Sequence, residues 1–484
     1  MTLEGGVASH DLPYIRKDVG HITEDVSATD LTARLNRLPS SWPVWKLVFL
    51  LACGGWFEVY DAFFTAYVGP GMVKSGLFVH ATRGLFDFNG LGSFVAATFA
   101  GLFIGTFFCG QFSDRFGRRL VFTAALLWYT LAAIVMAFQT TAVGMDVWRL
   151  ISGIGLGAEL VTIDSYIAEF VPGHMRGRAF AIQQAIQYTS VPTVAFLAWL
   201  LSGTSWMGLE GWRWIMMSAA VGAAIVWLIR LKLPESPRWL VAQGRLDEAE
   251  RIISDLEQQV VQSTHEPLPV LAPVAHQVKP VVQLGVLDLW RSVYRKRTIM
   301  MMVFHFFQSL GYYGFASWVP TLLAAKGITV THSLFYSFLI AVANPLGPLI
   351  AFSFVEKVER KWMIAGAAGA LAIMGIIFAC QRNAALIVVV GLLMTIISNC
   401  MTFSYRAYQA ELFPTQVRTA AIGIVYSISR ISAMLSGFLI AFTLGHYGVG
   451  GVFTLISGSL AIVVFVIGYF GPRTKGRSLE EISE

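Results

Sequence analysis

Long apolar runs separated by short polar segments dominate the chain. A helix that crosses a bilayer needs about 20 mostly apolar residues. Twelve runs reach that length, approximately 44–69, 93–112, 119–139, 144–171, 178–202, 212–231, 298–325, 331–354, 361–380, 384–411, 418–443 and 450–471. Six precede and six follow residues 232–297, the only long polar stretch in the body. Lipid offers backbone groups no partners, so spanning segments of this kind fold as helices. The pattern predicts an all-α membrane protein with twelve transmembrane helices in two six-helix bundles. Its expected parts are an N-terminal tail (1–43), a first bundle (44–231), a linker (232–297), a second bundle (298–471) and a C-terminal tail (472–484).

Composition agrees. The chain is 56% hydrophobic and 13% charged, with a mean hydropathy of +0.63, whereas a soluble chain carries about 25% charged residues. The net charge of +6 points to topology and not to nucleic acid. With the N-terminus inside, cytoplasmic segments hold 27 of the 35 Lys and Arg, external segments hold Lys74, Arg83, Arg213, Lys326 and Arg382, and Arg149, Arg406 and Arg430 fall within spans. Basic residues favour short cytoplasmic loops, so both termini are expected in the cytoplasm. The four cysteines lie in apolar stretches without metal-ligand spacing and read as small core residues. Residues 1–40 lack the apolar core of a signal peptide, and Leu31–Leu38 fits a short interfacial helix.

The halves repeat each other. GQFSDRFGRR (110–119) corresponds to AFSFVEKVERKW (351–362), pairing Asp114 with Glu356 and Arg118 with Arg360, and upstream of them Gly105 pairs with Gly347. AEFVPGHMRGRA (168–179) corresponds to AELFPTQVRTAA (410–421), pairing Glu169 with Glu411 and Arg176 with Arg418. Both loops give one offset, 242 residues. Duplication of this kind marks a carrier with its site between two pseudo-symmetric bundles. Gly117 permits a tight turn there, and Asp114 at a helix end can pair with an arginine or a helix N-terminus in one conformation and release it in another.

The Gly110–Arg119 loop resembles the cytoplasmic signature of the major facilitator superfamily. Arg149-x-x-x-Gly153-Ile-Gly155-Leu-Gly157, Tyr166-Ile-Ala-Glu169 with Arg176-Gly-Arg178, Pro234-Glu-Ser-Pro-Arg238, and the C-terminal Pro472-Arg-Thr-Lys-Gly-Arg resemble its sugar-porter-like branch. The resemblance implies a twelve-helix secondary transporter working by alternating access. It also implies cytoplasmic charge networks, with Asp114, Arg115, Arg118, Arg119, Glu169, Arg178, Glu356, Arg360, Glu411 and Arg418 as gating residues. Ala420 stands where a partner of Arg178 would fall.

Candidate chemistry lies inside the spans. WFEVYDAFF (56–64) places Glu58 and Asp61 in a helix with no other charge from Leu47 to Val68. Each carboxylate costs about 2.5–3.5 kcal/mol at the bilayer centre on insertion scales. Three residues apart, they share a face, which must look into a polar cavity. Arg149 is the natural counter-charge. The resembled branch couples protons through a first-span Tyr-Asp and a fourth-span arginine, matched by Tyr60, Asp61 and Arg149, while Glu58 is closer to the paired acids of aromatic-acid:proton symporters. A structural ion pair without turnover is the competing reading.

Arg430 in YSISRISAM (426–434) cannot escape burial by neutralisation. It resembles an arginine that organic-anion carriers use to attract carboxylates, the alternative being an internal salt bridge. Gln184, Gln187 and Tyr188 form one helical stripe, and His305, Gln308 and Tyr312 another. These suit a cavity or helix–helix hydrogen bonds, and the expected substrate-binding residues are Arg430, Gln184, Gln187, Tyr188, Gln308, Tyr312 and Tyr60. Gly153 and Gly157 allow a close helix approach, and Pro70, Pro192 and Pro345 mark expected bends. No nucleotide loop, nucleophile–base pair or zinc motif is present, so neither enzymology nor a cofactor or metal is expected. The expected function is proton-coupled symport of a small organic anion, an aromatic or sugar-derived carboxylate, with a neutral sugar or polyol as the alternative. The expected partners are that small molecule, protons and the lipid bilayer, without nucleic acid. The chain is expected to act as a monomer in a plasma membrane such as a bacterial inner membrane.

Overall fold

The computed structural model describes residues 30–78, 84–85, 90–230, 233–271, 289–354, 358–413 and 418–474. The first half contains α1 (Trp42–Lys74), α2 (Leu91–Phe116), α3 (Arg118–Ala137), α4 (Ala142–Phe170), α5 (Arg176–Tyr188), α6 (Ser190–Leu201) and α7 (Gly211–Arg230). The linker contributes α8 (Pro237–Ala242) and α9 (Leu246–Thr264). The second half contains α10 (Ser292–Ala316), α11 (Val319–Ala325), α12 (Val330–Ala341), α13 (Leu346–Phe354), α14 (Arg360–Cys380), α15 (Ala384–Leu412) and α16 (Arg418–Phe470). Gly448, at φ 63°, breaks α16 into the last two spans. The predicted spans are thereby accounted for, the fifth by α5 with α6 and the eighth by α12 with α13.

Prolines explain the broken spans. Pro345 has no N–H for the carbonyl of Ala341, where α12 ends. Asn344 supplies the donors instead, its backbone N–H at 2.9 Å and its side-chain Nδ2 at 3.0 Å from that carbonyl. Pro192 likewise leaves the Tyr188 carbonyl without its helical donor, and α5 gives way to α6 at Thr189. Trp56 Nε1 donates to Thr189 Oγ1 at 2.9 Å and ties this joint to α1. Pro70, by contrast, sits within an unbroken α1.

Close packing of α2 on α4 depends on glycine. A Cβ on Gly105 would meet the Ile154 carbonyl and lie 3.0 Å from Gly157 Cα, and one on Gly153 would lie 3.0 Å from Gly101 Cα. Gly117, at φ 97°, makes the turn between α2 and α3. Cys380 is exposed, and Cys53 and Cys400 are half-buried, so these three are not the core residues expected.

The N-terminal helix over 30–36 is a correction to the interfacial reading. Its leucines are buried against protein: Leu31 packs with Trp239, Leu240 and Ile253, while Leu35 and Leu38 pack with Leu256 and Val260. Arg34 and Arg37 each reach Glu257 at 2.7 Å. Burial opposes ionisation of Glu257, but hydrogen bonds from Arg34 and Arg37 outweigh it and hold the carboxyl below its usual range.

Candidate functional site

A cavity of about 130 Å³ lies between the halves. From the first half it takes Glu58 of α1, Asp164 of α4, and Gln183, Gln184, Gln187 and Tyr188 of α5; from the second, Gln308, Tyr312 and Tyr313 of α10, Tyr405 and Arg406 of α15, and Tyr426 and Arg430 of α16. Helical periodicity gathers these groups, with Gln184/Gln187/Tyr188 and Gln308/Tyr312 each placing one stripe on the cavity wall. Gln184 Nε2 donates to the Tyr188 hydroxyl at 3.3 Å. His305 falls outside the lining: it is buried and hydrogen-bonded to Gln409 at 3.0 Å.

Arg430 is 2% exposed. Its guanidinium donates to the hydroxyls of Tyr313 at 3.2 Å and Tyr426 at 3.0 Å and lies 4.9 Å from the centre of the Tyr426 ring. Nε has no hydrogen-bond partner among the described residues. No described carboxylate lies within ion-pair distance of it, so the internal salt bridge weighed as its alternative role is not formed with these residues.

The acids of α1 part company. Glu58, 7% exposed, borders the cavity. Asp61 and Arg149 have fully buried side chains and form an ion pair at 2.7 Å. Arg149 also donates to Thr98 at 2.9 Å and to the Asp61 carbonyl and Thr65 hydroxyl at 2.8 Å each, while Phe64 faces the guanidinium at 4.5 Å. Asp61 Oδ1 keeps no partner among the described residues. The expectation that both acids share a cavity face therefore holds for Glu58 alone, because the roughly 60° between the two positions suffices to turn Asp61 into the α1–α4 contact. Tyr60 is a second correction. Its hydroxyl lies 2.9 Å from Ser218 Oγ and 3.2 Å from the Ile215 carbonyl on α7, directed away from the cavity.

At the face bearing the linker, Arg118 pairs with Glu169 at 2.9 Å, and Arg360 pairs with Glu411. The two pairs are related by the 242-residue repeat, and each lies within its own half. Arg115 is exposed over the Phe116 ring, and Arg178 is exposed; neither forms an ion pair with another described residue of the expected network. Arg119 contributes its backbone N–H to Glu235. Glu356 and the side chains of Asp114 and Arg418 lie outside the described residues. Glu235, unassigned on the sequence, accepts from the backbone of Arg118 at 3.0 Å and Arg119 at 3.2 Å, anchoring the linker on the α3 N-terminus. Its signal was an acid within Pro234-Glu-Ser-Pro.

Two pseudo-symmetric helical halves around a buried, charged central cavity define a membrane transporter. The chain belongs to the sugar (and other) transporter family, whose model matches residues 47–484. It is 30% identical to the putative metabolite transport protein YyaJ of Bacillus subtilis over 92% of this chain and 96% of that one. It is 28% identical to the niacin transporter NiaP of Acinetobacter baylyi over 94% and 99%. Its fold matches the Escherichia coli xylose transporter XylE with a TM-score of 0.70 at 21% identity, covering 90% of this chain and 99% of that one. The twelve-helix major facilitator fold and multi-pass membrane placement expected from the sequence are therefore those of the protein.

Proposed function

We propose that the transporter carries a small organic anion, preferably an aromatic carboxylate, together with protons by alternating access, with both termini in the cytoplasm. Arg430 carries this reading. A guanidinium held below the surface without a carboxylate partner is costly, and its planar fork matches a carboxylate in two-point geometry. Five tyrosines, Tyr188, Tyr312, Tyr313, Tyr405 and Tyr426, line the same chamber and offer ring faces and hydroxyls to an aromatic substrate. The relative named for niacin, an aromatic carboxylate, is in keeping with this.

Proton coupling runs through α1. Glu58 is the acid that meets the cavity, and Asp61, one turn away, is held by Arg149. A proton on Asp61 removes the charge that fixes Arg149 between α1 and α4 and loosens that contact for the rocking of the halves. The substrate drives the cycle only by binding the protonated, transition-competent state better than the other.

A second reading, a neutral sugar or polyol, draws on the amides of Gln183, Gln184, Gln187 and Gln308 along the wall. Binding by the purified protein separates the two. Arg430→Gln should weaken benzoate or nicotinate by about 10- to 100-fold, the range for a hydrogen bond to a charged group, while leaving the folded yield intact. Unchanged affinity would remove Arg430 from the site, and binding of nicotinamide or xylose in place of the acids would favour the neutral substrate.

A further inference from the structure

The cavity holds a second arginine in a different electrostatic setting. Arg406 on α15 and Asp164 on α4 come from opposite halves, both border the cavity, and they interact electrostatically across it. Gln183 borders the cavity beside Asp164. Tyr405 and Tyr426 neighbour both Arg406 and Arg430, so the two guanidinium groups share one end of the chamber. Arg406 shares the chamber with a carboxylate from the opposite half, whereas Arg430 donates to tyrosine hydroxyls. Glu58, engaged with another group of its own, completes the charged lining.

We infer that Asp164 is a specificity-determining residue: by balancing Arg406 it limits the site to ligands with one carboxylate and turns away dicarboxylates. The inference rests on the anion reading above. A ligand's second carboxylate reaching Arg406 enters the same enclosed chamber as the Asp164 carboxylate. Two carboxylates in one buried chamber repel, because little water lies between them to screen the charges. Discrimination by such a repulsive element needs no extra contact to the preferred ligand. Because Asp164 and Arg406 belong to different halves, a monocarboxylate on Arg430 also leaves their attraction across the interface intact.

Calorimetric titration of the full-length purified protein with benzoate and the three benzenedicarboxylates tests this. Wild type should bind benzoate and reject all three diacids. Asp164→Asn should shift the preference toward at least one diacid by about tenfold or more, within the usual range for coupled sites. Asp164→Glu should keep the wild-type preference, and Asp164→Asn with Arg406→Gln should restore rejection of diacids. A benzoate-to-diacid ratio that Asp164→Asn leaves unmoved overturns the inference while the anion reading stands. If Asp164→Asn does not fold, diacid rejection that persists in Asp164→Ser overturns it equally. Binding of no acid by wild type or any variant sinks the anion reading and the inference with it.

Discussion

Replacing Arg149 by glutamine strands a carboxylate in the interior of the first bundle. The guanidinium makes four hydrogen bonds, to Thr98, the Asp61 carboxylate, the Asp61 carbonyl and Thr65. Without it, the Asp61 carboxylate keeps only the Ser152 hydroxyl, at 3.4 Å, among the described residues. Removing one member of a buried ion pair costs about 3–5 kcal/mol, because the survivor stays desolvated. With an unfolding entropy of about 2.1 cal/mol/K per residue, the 484-residue chain loses about 1 kcal/mol per degree, so the melting temperature of Arg149→Gln should fall by about 3–5 °C. Asp61→Asn added to it abolishes the stranded charge, and the double variant should regain at least half of that loss. Thermal melts followed by size-exclusion chromatography in detergent read both numbers. A single variant as stable as wild type, or a double variant no better than Arg149→Gln, would refute the sealed pair.

Further expectations follow from other contacts. Glu257 titrates below its usual 4.5 when folded, so its contribution to docking residues 30–36 is fully present above that value and lost as pH falls through the lower folded value. Limited proteolysis of the N-terminal segment should accelerate over that acid range in wild type, and Glu257→Gln should be cleaved quickly already at neutral pH. Gly157→Val would press on the α2 backbone, since even a Cβ there lies 2.8 Å from the Thr106 nitrogen. Overpacking of this kind costs about 1–3 kcal/mol or more, read as loss of monodisperse protein on size exclusion.

How far the sequence carried the account follows from which interactions are local. Span number, the repeat, the Arg118–Glu169 and Arg360–Glu411 equivalence and the glutamine–tyrosine stripes all rest on short-range periodicity or a fixed offset, and the structure places them as such. Pro192 and Pro345 interrupt their spans because the missing N–H acts within one turn, whereas α1 continues past Pro70. Tyr60 and Asp61 match one motif, but neighbours on a helix point about 100° apart, and the Tyr60 hydroxyl meets α7 instead. Asp164 and Arg406 stand at the same 242-residue offset and so occupy equivalent positions in the two halves, but the repeat alone does not say that both side chains border one cavity. The leucine spacing of residues 31–38 declared an apolar face without saying that α9, and not lipid, would cover it.

Uptake into proteoliposomes under an imposed pH gradient measures the coupling itself. Wild type should accumulate labelled nicotinate or benzoate when the proton gradient points inward and stop when it is collapsed. Asp61→Asn should still exchange the label across the membrane but no longer concentrate it. Accumulation by Asp61→Asn equal to that of wild type would contradict the account.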